Sequence, residues 1–290
     1  MRILLTGANG LLGGAIQVAA CEHGWTCDAF ARPPLASGSV TLDSLAKSMQ
    51  GYDLLIHTAA NTNVEQCEIF PDDCYRDNFL LTELLAHAAS IAKVKFIFIS
   101  STGIYGDGQD SAYAEYDITQ PATHHHRSKK MAEQSVLRQD ARNLVVRTGW
   151  LFGGDAANPK NFVARRIDEA RTALRGKGYI ESNAEQCGVP CFNQDVAVRI
   201  LQLAQAGWSG IFNCVNNGSA SRYEYVKAVI ELAGVPIEVR ASSAAVFNRK
   251  AKVANNEMAK NWKMESLGFG PMPEWRSSLA IYINGCGKQV

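Results

Sequence analysis

The 290-residue sequence predicts an α/β protein built on a doubly wound parallel sheet, and three observations indicate this fold class. Short, continuous apolar runs alternate with longer helix-like segments through the first half of the chain. A glycine-rich turn follows the first apolar run directly and opens a helix-like segment. Hydrophobic residues make up 47% and charged residues 20%, which is typical of a globular protein that buries a substantial core.

The predicted strands are apolar runs bounded by turn residues, the pattern of strands that are buried on both faces. They cover Ile3–Thr6, Thr26–Ala31, Asp53–Thr58, Lys95–Ser100 and Leu144–Thr148. The predicted helices between them cover Leu11–Glu22, Leu42–Gln50, a long stretch within Val64–Ala92, and Ser128–Leu137. This alternation predicts a parallel sheet with helices on both of its faces.

The regular alternation of strands and helices ends after the fifth strand, where residues 151–192 are rich in Gly, Asn and Pro. One clear helix is predicted there, near Phe162–Leu174. We expect Asp195 to cap a further helix and Gly210–Val215 to form another strand. Ser221, followed three residues later by Glu224, predicts a capping box at the start of a late helix.

The composition excludes several classes of function. A net charge of +1 without any block of Lys or Arg argues against a nucleic-acid partner. The N-terminal apolar run stops at Leu5, and no segment reaches about 18 uninterrupted apolar residues, so we expect a cytoplasmic protein with no membrane partner. The eight cysteines show no CxxC and no zinc-like spacing, which predicts reduced, structural thiols and no metal site.

The turn after the first strand reads Thr6-Gly7-Ala8-Asn9-Gly10-Leu11-Leu12-Gly13. Gly7 permits a tight turn, Gly10 lets a pyrophosphate approach the backbone, and Gly13 allows the helix to pack closely on the strand. The N-terminus of the helix adds free N–H groups and a partial positive charge. The turn therefore predicts a Rossmann-type dinucleotide site whose cofactor-binding residues are Gly7, Asn9, Gly10, Leu11, Leu12 and Gly13.

The end of the second strand indicates which dinucleotide binds. An acidic residue there would bind the ribose hydroxyls of NAD, whereas an arginine would accommodate the extra phosphate of NADP. The sequence reads Phe30-Ala31-Arg32-Pro33, and its nearest acid, Asp28, lies too early, inside the strand. The sequence thus favours NADP(H), bound with the help of Arg32, and leaves NAD(H) as the alternative.

The glycine turn, the strand end Ile56–Ala60 and the segment Ser100–Gly106 together resemble the extended short-chain dehydrogenase/reductases. Within that superfamily the sequence is most similar to the dTDP-4-dehydrorhamnose reductases, over nearly the whole chain. The resemblance implies an NADP(H)-dependent reductase of a nucleotide-linked 4-keto-6-deoxysugar, with Ala59 and Ala60 at the cofactor, and a homodimer. Further matching segments are Asp53–Glu68, Arg147–Gly153, Asn161-Phe162, Gly188–Pro190 and Pro273–Leu279.

The resemblance also implies a catalytic set, in which a Ser or Thr after the fourth strand works with a Tyr-x-x-x-Lys pair. A hydroxyl donates a proton to the carbonyl oxygen as hydride arrives, and the lysine lowers its pKa and holds the cofactor ribose. Ser101 and Lys129 match these positions, but the tyrosine position holds His125. Aligning on Lys130 instead places His126 there, so neither register supplies a tyrosine.

Three hypotheses account for the histidine. In the first, His125 replaces the tyrosine as acid, since an imidazolium has a reference pKa of about 6.5, although nearby Lys129 disfavours its charge. In the second, the site performs epimerisation or dehydration with acid–base roles moved to Thr102, Tyr105 or Asp107. In the third, the chain is a non-catalytic, NADP-binding regulatory subunit. The reductase is the favoured hypothesis; a solvated helix start without any role is the alternative for the three consecutive histidines.

The sugar is expected beyond the fifth strand, at the crevice where open parallel sheets bind ligands. Trp150 lies there, and the reductases that this chain resembles have a tryptophan at the matching position. We expect Thr62 and Thr102 to line the same cleft. Lys160 and Arg165 are either diphosphate ligands or surface charges.

The predicted domain organisation follows from these elements. Residues 1–150 with about 193–215 form the NADP-binding Rossmann domain, and about 151–192 with 216–290 form a smaller, discontinuous substrate-binding lobe. His57, at the end of an apolar strand, is predicted to be structural.

Overall fold

The computed structural model describes residues 1–33, 41–247 and 249–286 of the chain. Within these residues the strands are β1 (Arg2–Thr6), β2 (Thr26–Phe30), β3 (Leu54–His57), β4 (Lys95–Ser101), β5 (Leu144–Thr148), β6 (Trp150–Phe152), β7 (Tyr179–Asn183), β8 (Cys187–Gly188), β9 (Pro190–Phe192), β10 (Gly210–Asn213), β11 (Ala220–Ser221) and β12 (Glu238–Ser242). Six of them form a parallel sheet in the order β10-β5-β4-β3-β1-β2. The predicted doubly wound sheet is confirmed.

The helices of the described residues lie between these strands. They are α1 (Leu11–Glu22), α2 (Leu42–Met49), α3 (Val64–Ile69), α4 (Pro71–Tyr75), α5 (Leu81–Ala92), α6 (His124–Gln139), α7 (Phe162–Leu174), α8 (Asn193–Gln205), α9 (Arg222–Leu232), α10 (Trp262–Ser266) and α11 (Trp275–Cys286). None of them combines the length and hydropathy needed to cross a membrane.

Side chains that alternate along the strands build one apolar cluster on each face of the sheet. Ile3 and Leu5 of β1 pack with α1 and α8, whereas Leu4 packs with α2 and α5 on the other face. A third cluster, around Trp275 and Tyr225, joins α7, α9 and α11 beside the sheet. Successive strands are added on one side of β1 up to β2 and on its other side from β3 onwards, so the carboxyl ends of β1 and β3 frame the ligand crevice of an open α/β sheet.

Two predicted helix starts are wrong, and the hydrogen bonds of one side chain in each case account for the difference. Helix α6 begins at His124 rather than Ser128, because the Thr123 hydroxyl accepts a hydrogen bond from the His126 N–H at 3.3 Å. Asp195 does not cap α8, which begins two residues earlier; its carboxylate instead accepts bonds from Asn216 and Ser278.

Other elements agree closely with the sequence patterns. The capping box of Ser221 and Glu224 is confirmed at the start of α9. Helix α7 covers the predicted residues, whereas the strand predicted to reach Val215 ends at Asn213. The stretch predicted within Val64–Ala92 is divided into α3, α4, a π-helical turn and α5, with Pro71 at the first turn of α4.

Candidate active site

A cavity of about 950 Å³ opens at the carboxyl ends of β1 to β5. It extends from the glycine turn before α1 to the indole of Trp150, so one continuous space joins the predicted cofactor end and the predicted sugar end. The predicted site residues that line it are Gly7, Asn9, Gly10, Leu11, Leu12, Gly13, Arg32, Ala59, Ala60, Thr62, Ser101, His125, Lys129 and Trp150.

The glycine turn has a conformation that larger residues cannot adopt. Gly7 has φ +71°, and a Cβ there would lie 2.6 Å from Thr58 Oγ1 and 2.8 Å from the Ala59 nitrogen. A Cβ at Gly13 would lie 2.1 Å from the Gly7 carbonyl oxygen. Gly10 has no side chain to cap α1, so the first N–H groups of this helix stay available to an anion.

The residues at this end fit a dinucleotide. The open helix N-terminus suits a pyrophosphate, and the buried hydroxyl of Ser100, in the same wall, has no hydrogen-bond partner among the described residues. Arg32 lines the cavity, and its half-exposed guanidinium is bound to the Asp77 carboxylate. A phosphate arriving at Arg32 would therefore compete with Asp77 for the same cation.

Ser101 and Lys129 both line the cavity. Ser101, at the end of β4, accepts a hydrogen bond from the Gly103 N–H at 3.2 Å, which leaves its hydroxyl proton free to donate. Lys129 Nζ donates to the Ile99 carbonyl at 2.9 Å. Burial lowers the pKa of the Lys129 ammonium to about 8, against the attraction of Glu133. Lys130 instead donates to the Thr119 carbonyl, so Lys129 is the lysine of the site.

His125 lies at the cavity wall with only 6% of its surface exposed. Its Nδ1 lies 3.0 Å from the Asn61 carbonyl oxygen and 3.3 Å from Asn78 Nδ2. Because Asn78 already donates to Asn61 and Cys74, the proton on the ring is assigned to Nδ1, which leaves Nε2 as an acceptor. Burial, then the charges of His126 and Lys129, hold the pKa of His125 well below its usual range.

Burial therefore disfavours an imidazolium donor at His125 near neutral pH. The three histidines also do not form a solvated helix start. His126 is buried beside Gly103, where a Cβ would lie 2.2 Å from its Nε2. The Thr123 hydroxyl lies 3.0 Å from His126 Nδ1.

The residues considered for relocated acid–base chemistry lie away from the cavity. Tyr105 is buried; its hydroxyl donates to Asn213 at 2.8 Å and accepts from Arg147 at 3.0 Å. Burial raises the pKa of Tyr105 to about 12. Asp107 accepts from a backbone N–H, and Thr102 is buried without lining the cavity, which corrects the predicted role of Thr102 in the cleft. Epimerisation or dehydration through these residues is thus not supported.

Trp150 is held rigidly at the sugar end of the cavity. Its indole N–H donates to Glu257 at 2.6 Å, and the Arg222 guanidinium carbon lies 3.5 Å from the ring centroid. A Cβ at Gly188 would lie 2.5 Å from the indole, so any residue other than glycine at this position would collide with the ring. Fixed in this way, Trp150 offers a preorganised surface to a sugar or a base.

Sequence reasoning missed Arg222 and Glu257, which lie far from Trp150 along the chain. Arg222 lines the cavity, burial lowers its pKa to about 10, and no carboxylate in the described part of the chain is within ion-pair distance of it. The only sequence signal was the capping box, which places Arg222 at the start of α9. Lys160 also lines the cavity, whereas Arg165 is exposed outside it.

His57 is confirmed as a buried residue with both ring nitrogens satisfied. Its Nδ1 lies 2.6 Å from the Thr6 hydroxyl and its Nε2 lies 3.0 Å from the Thr82 hydroxyl. These contacts join β1, β3 and α5 beneath the glycine turn. Burial lowers the pKa of His57 to about 3, so the ring stays neutral.

Comparison with known proteins finds the same pattern over nearly the whole chain. The family model described as RmlD substrate binding domain matches residues 1–287. A dTDP-4-dehydrorhamnose reductase of Mycolicibacterium smegmatis is 30% identical over 285 residues, 96% of this chain and 84% of the relative.

Solved structures give the same result. A dTDP-4-dehydrorhamnose reductase of Clostridium acetobutylicum has a TM-score of 0.90 at 26% identity, covering 99% of this chain and 100% of the other. The dTDP-4-dehydrorhamnose reductase of Bacillus anthracis, in complex with NADP, has a TM-score of 0.89 at 26% identity, covering 98% and 99%. The similarity therefore includes both the sheet and the elements that hold Trp150.

Proposed function

We propose, from the premise that this chain belongs to the family described as the RmlD substrate binding domain, that it reduces a nucleotide-linked 4-keto-6-deoxysugar with NADP(H). Membership in the family confirms the resemblance stated from the motifs. The observation that carries the proposal is the single cavity that joins the glycine turn, the Ser101–Lys129 pair and Trp150. Cytoplasmic location and a homodimer remain predictions from the sequence.

The cofactor end of the cavity would hold the dinucleotide through backbone groups. The N-terminus of α1 would bind the pyrophosphate, Ala59 and Ala60 would leave room for the adenosine side, and Arg32 would turn from Asp77 to the extra phosphate of NADP. When bound, the dinucleotide supplies the hydride that reduces the carbonyl carbon. The chain itself must then orient the carbonyl and supply one proton to its oxygen.

We assign the role of proton donor to the carbonyl oxygen to Lys129 rather than to His125. With a pKa of about 8, the Lys129 ammonium is charged at neutral pH and lies close to the value that suits proton transfer there. Ser101, whose hydroxyl proton is free, would hydrogen-bond the carbonyl oxygen and pass the proton to it. His125 is neutral and its Nε2 carries no proton, so it would position a substrate hydroxyl by accepting a hydrogen bond.

The lobe formed by residues about 151–192 and 216–290 would bind the nucleotide sugar. Arg222 and Lys160 are cations of the cavity lining, and Arg249, which also lines it, is already paired with Glu65. Charge-assisted bonds to a diphosphate would satisfy Arg222, which has no ion pair among the described residues. Trp150 would stack on the sugar or the base. Thr62, which lines the same cavity, would face the same ligand.

The test is an assay of NADPH absorbance with a dTDP-4-keto-6-deoxysugar generated in place, at a series of pH values. We expect turnover that depends on the sugar, with a kcat that falls as pH rises through about 8, because Lys129 then loses its proton. A histidine donor would lose activity in the same direction but at lower pH, so that kcat would rise only as pH falls below the ordinary histidine range.

Variants separate positioning from proton donation. His125→Phe removes one hydrogen bond, so we expect about a tenfold loss of kcat and an unchanged alkaline limb, rather than the larger loss expected for a donor. His87→Phe, at an exposed position away from the cavity, is the matched control and should retain full activity. Measurable NADPH binding without consumption of any 4-keto sugar would reject the reductase and favour the regulatory subunit.

A further inference from the structure

Behind the His125 ring lies a group of soft donor atoms that the proposed reaction does not use. One ligand atom each from Cys67, Cys74 and His125 lie within 4.8 Å of one another. Both cysteines are fully buried, and His125 alone of the three lines the cavity. Their sequence positions, separated by six and by fifty residues, show no metal-site spacing.

The contacts of Asn78 show which side of the imidazole faces the thiols. Asn78 Nδ2 lies 3.3 Å from His125 Nδ1 and 3.4 Å from Cys74 Sγ. Cys67 Sγ lies 3.9 Å from the Asn61 carbonyl oxygen, which is itself 3.0 Å from Nδ1. Nδ1 is therefore the ring nitrogen on the side of the cysteines, and Nε2 is left for the cavity.

The fold holds the three residues together independently of any ligand. Phe70 ends α3 and precedes α4, and this sharp junction brings Cys67 and Cys74 to the same point. Helix α6, which carries His125, packs against both short helices. Because all three elements contact one another, the cluster is preformed in the protein.

We propose that Cys67, Cys74 and His125 bind one soft or borderline transition-metal ion of the Zn²⁺ class. Zinc–sulfur and zinc–nitrogen bonds of about 2.3 and 2.0–2.1 Å require ligand atoms about 3.5–3.8 Å apart, which the cluster reaches with small shifts. Two thiolates and an imidazole are the ligands that such ions select over oxygen sites. Asn78, which donates to Cys74 Sγ, is in place to support a bound thiolate.

Binding would release the two thiol protons and move the ring proton of His125 from Nδ1 to Nε2, and the Asn61 carbonyl or a water from the cavity would fill the fourth position. The ion would also remove the hydrogen bond that orients His125, and with a proton on Nε2 the ring could no longer accept a hydrogen bond from a substrate hydroxyl. It would therefore inhibit turnover. This consequence rests on the proposed function, whereas metal binding itself does not.

The experiment is a Co²⁺ titration of the whole protein, reduced with a non-thiol reductant and kept free of oxygen. We expect one equivalent of Co²⁺ per chain, with thiolate charge-transfer and tetrahedral ligand-field bands that Zn²⁺ abolishes. Cys67→Ser and Cys74→Ser should each weaken binding at least about a hundredfold. Cys214→Ser, which changes a buried thiol outside the cluster, is the matched control and should bind like the wild type.

The spectrum of the wild type tests thiolate ligation without relying on any variant to fold. Absence of charge-transfer bands, or bands that persist in Cys74→Ser, would overturn the site. The titration uses neither sugar nor NADPH, so it is independent of the reductase assay. The inhibitory role is tested by the turnover rate with Zn²⁺, compared for each protein with its own turnover rate in the presence of a chelator. Zn²⁺ should inhibit the wild type and Cys214→Ser reversibly and should inhibit Cys74→Ser less. Equal inhibition of all three proteins would reject the inhibitory role.

Discussion

The two ends of the cavity are built in different ways. The glycine turn of the cofactor end is one continuous segment, Thr6–Gly13, whose conformation is imposed by its own backbone. The catalytic end comes from Ser101 on β4 and from His125 and Lys129 on α6, and its chemistry depends on burial. The comparison teaches that a local backbone requirement determines one site, whereas the electrostatic environment of side chains determines the other.

The difference bears on His125, which stands where the sequence resemblance implies a tyrosine. The pKa of Lys129 is lowered by burial against β4, where its Nζ donates to Ile99 and lies 4.6 Å from the Phe98 ring centroid. Neither contact involves residue 125. The buried ammonium therefore keeps a pKa suited to proton transfer whichever side chain precedes it by one helical turn.

Removing the proton source should give the largest effect. Lys129→Met should lower kcat by about 10²–10⁴-fold, the usual contribution of general acid catalysis, with a much smaller change in NADPH affinity. Steady-state kinetics and NADPH fluorescence titration measure the two quantities. Lys130→Met, one position along α6, is the control and should change neither greatly. An unchanged kcat in Lys129→Met would contradict the claim that the chemistry at the Ser101 and Lys129 end of the cavity depends on the buried ammonium.

Adding one methyl group to the glycine turn should give the next largest effect. In Gly13→Ala the new Cβ meets the Gly7 carbonyl, so we expect a loss of about 1–3 kcal/mol in stability and a ~10–100-fold weaker NADPH affinity. In Gly14→Ala the nearest atom is 3.9 Å away, so this variant should bind NADPH normally and gain about 0.5–1 kcal/mol. Urea unfolding and cofactor titration of both proteins check this; similar behaviour of the pair would refute the backbone argument.

Arg32→Ala should give the smallest effect, and it tests whether Arg32 selects NADP at the cofactor end of the cavity. We expect NADPH affinity to fall about tenfold with NADH affinity nearly unchanged, because only NADP carries the phosphate that a charged arginine binds. Stability should hardly change, since a surface ion pair such as Arg32–Asp77 contributes about 0–1 kcal/mol. Arg76→Ala, which also removes a partner of Asp77 but lies outside this cavity, is the control. Equal losses for NADPH and NADH would contradict the assignment.

The sequence patterns predicted most of the fold because short apolar runs and turn glycines report local conformation. The five strands before residue 150 and helix α1 are confirmed nearly residue for residue. The patterns misplaced the start of α6, because three histidines carry no helical signal and the cap at Thr123 became apparent only in the structure. They also took Asp195 for a cap, although its partners lie more than twenty residues further along the chain.

The sequence alone determined where the buried strands, the helix after the glycine turn and the turn itself lie, since each depends on neighbours within about one strand or one helical turn. Only the tertiary structure decided that His125 is neutral, that Arg222 covers Trp150, and that two cysteines lie behind the histidine. Burial and charge are set by every atom around a group. The Trp150–Glu257 bond, for example, joins residues 107 positions apart, a distance over which spacing in the sequence carries no information about contact.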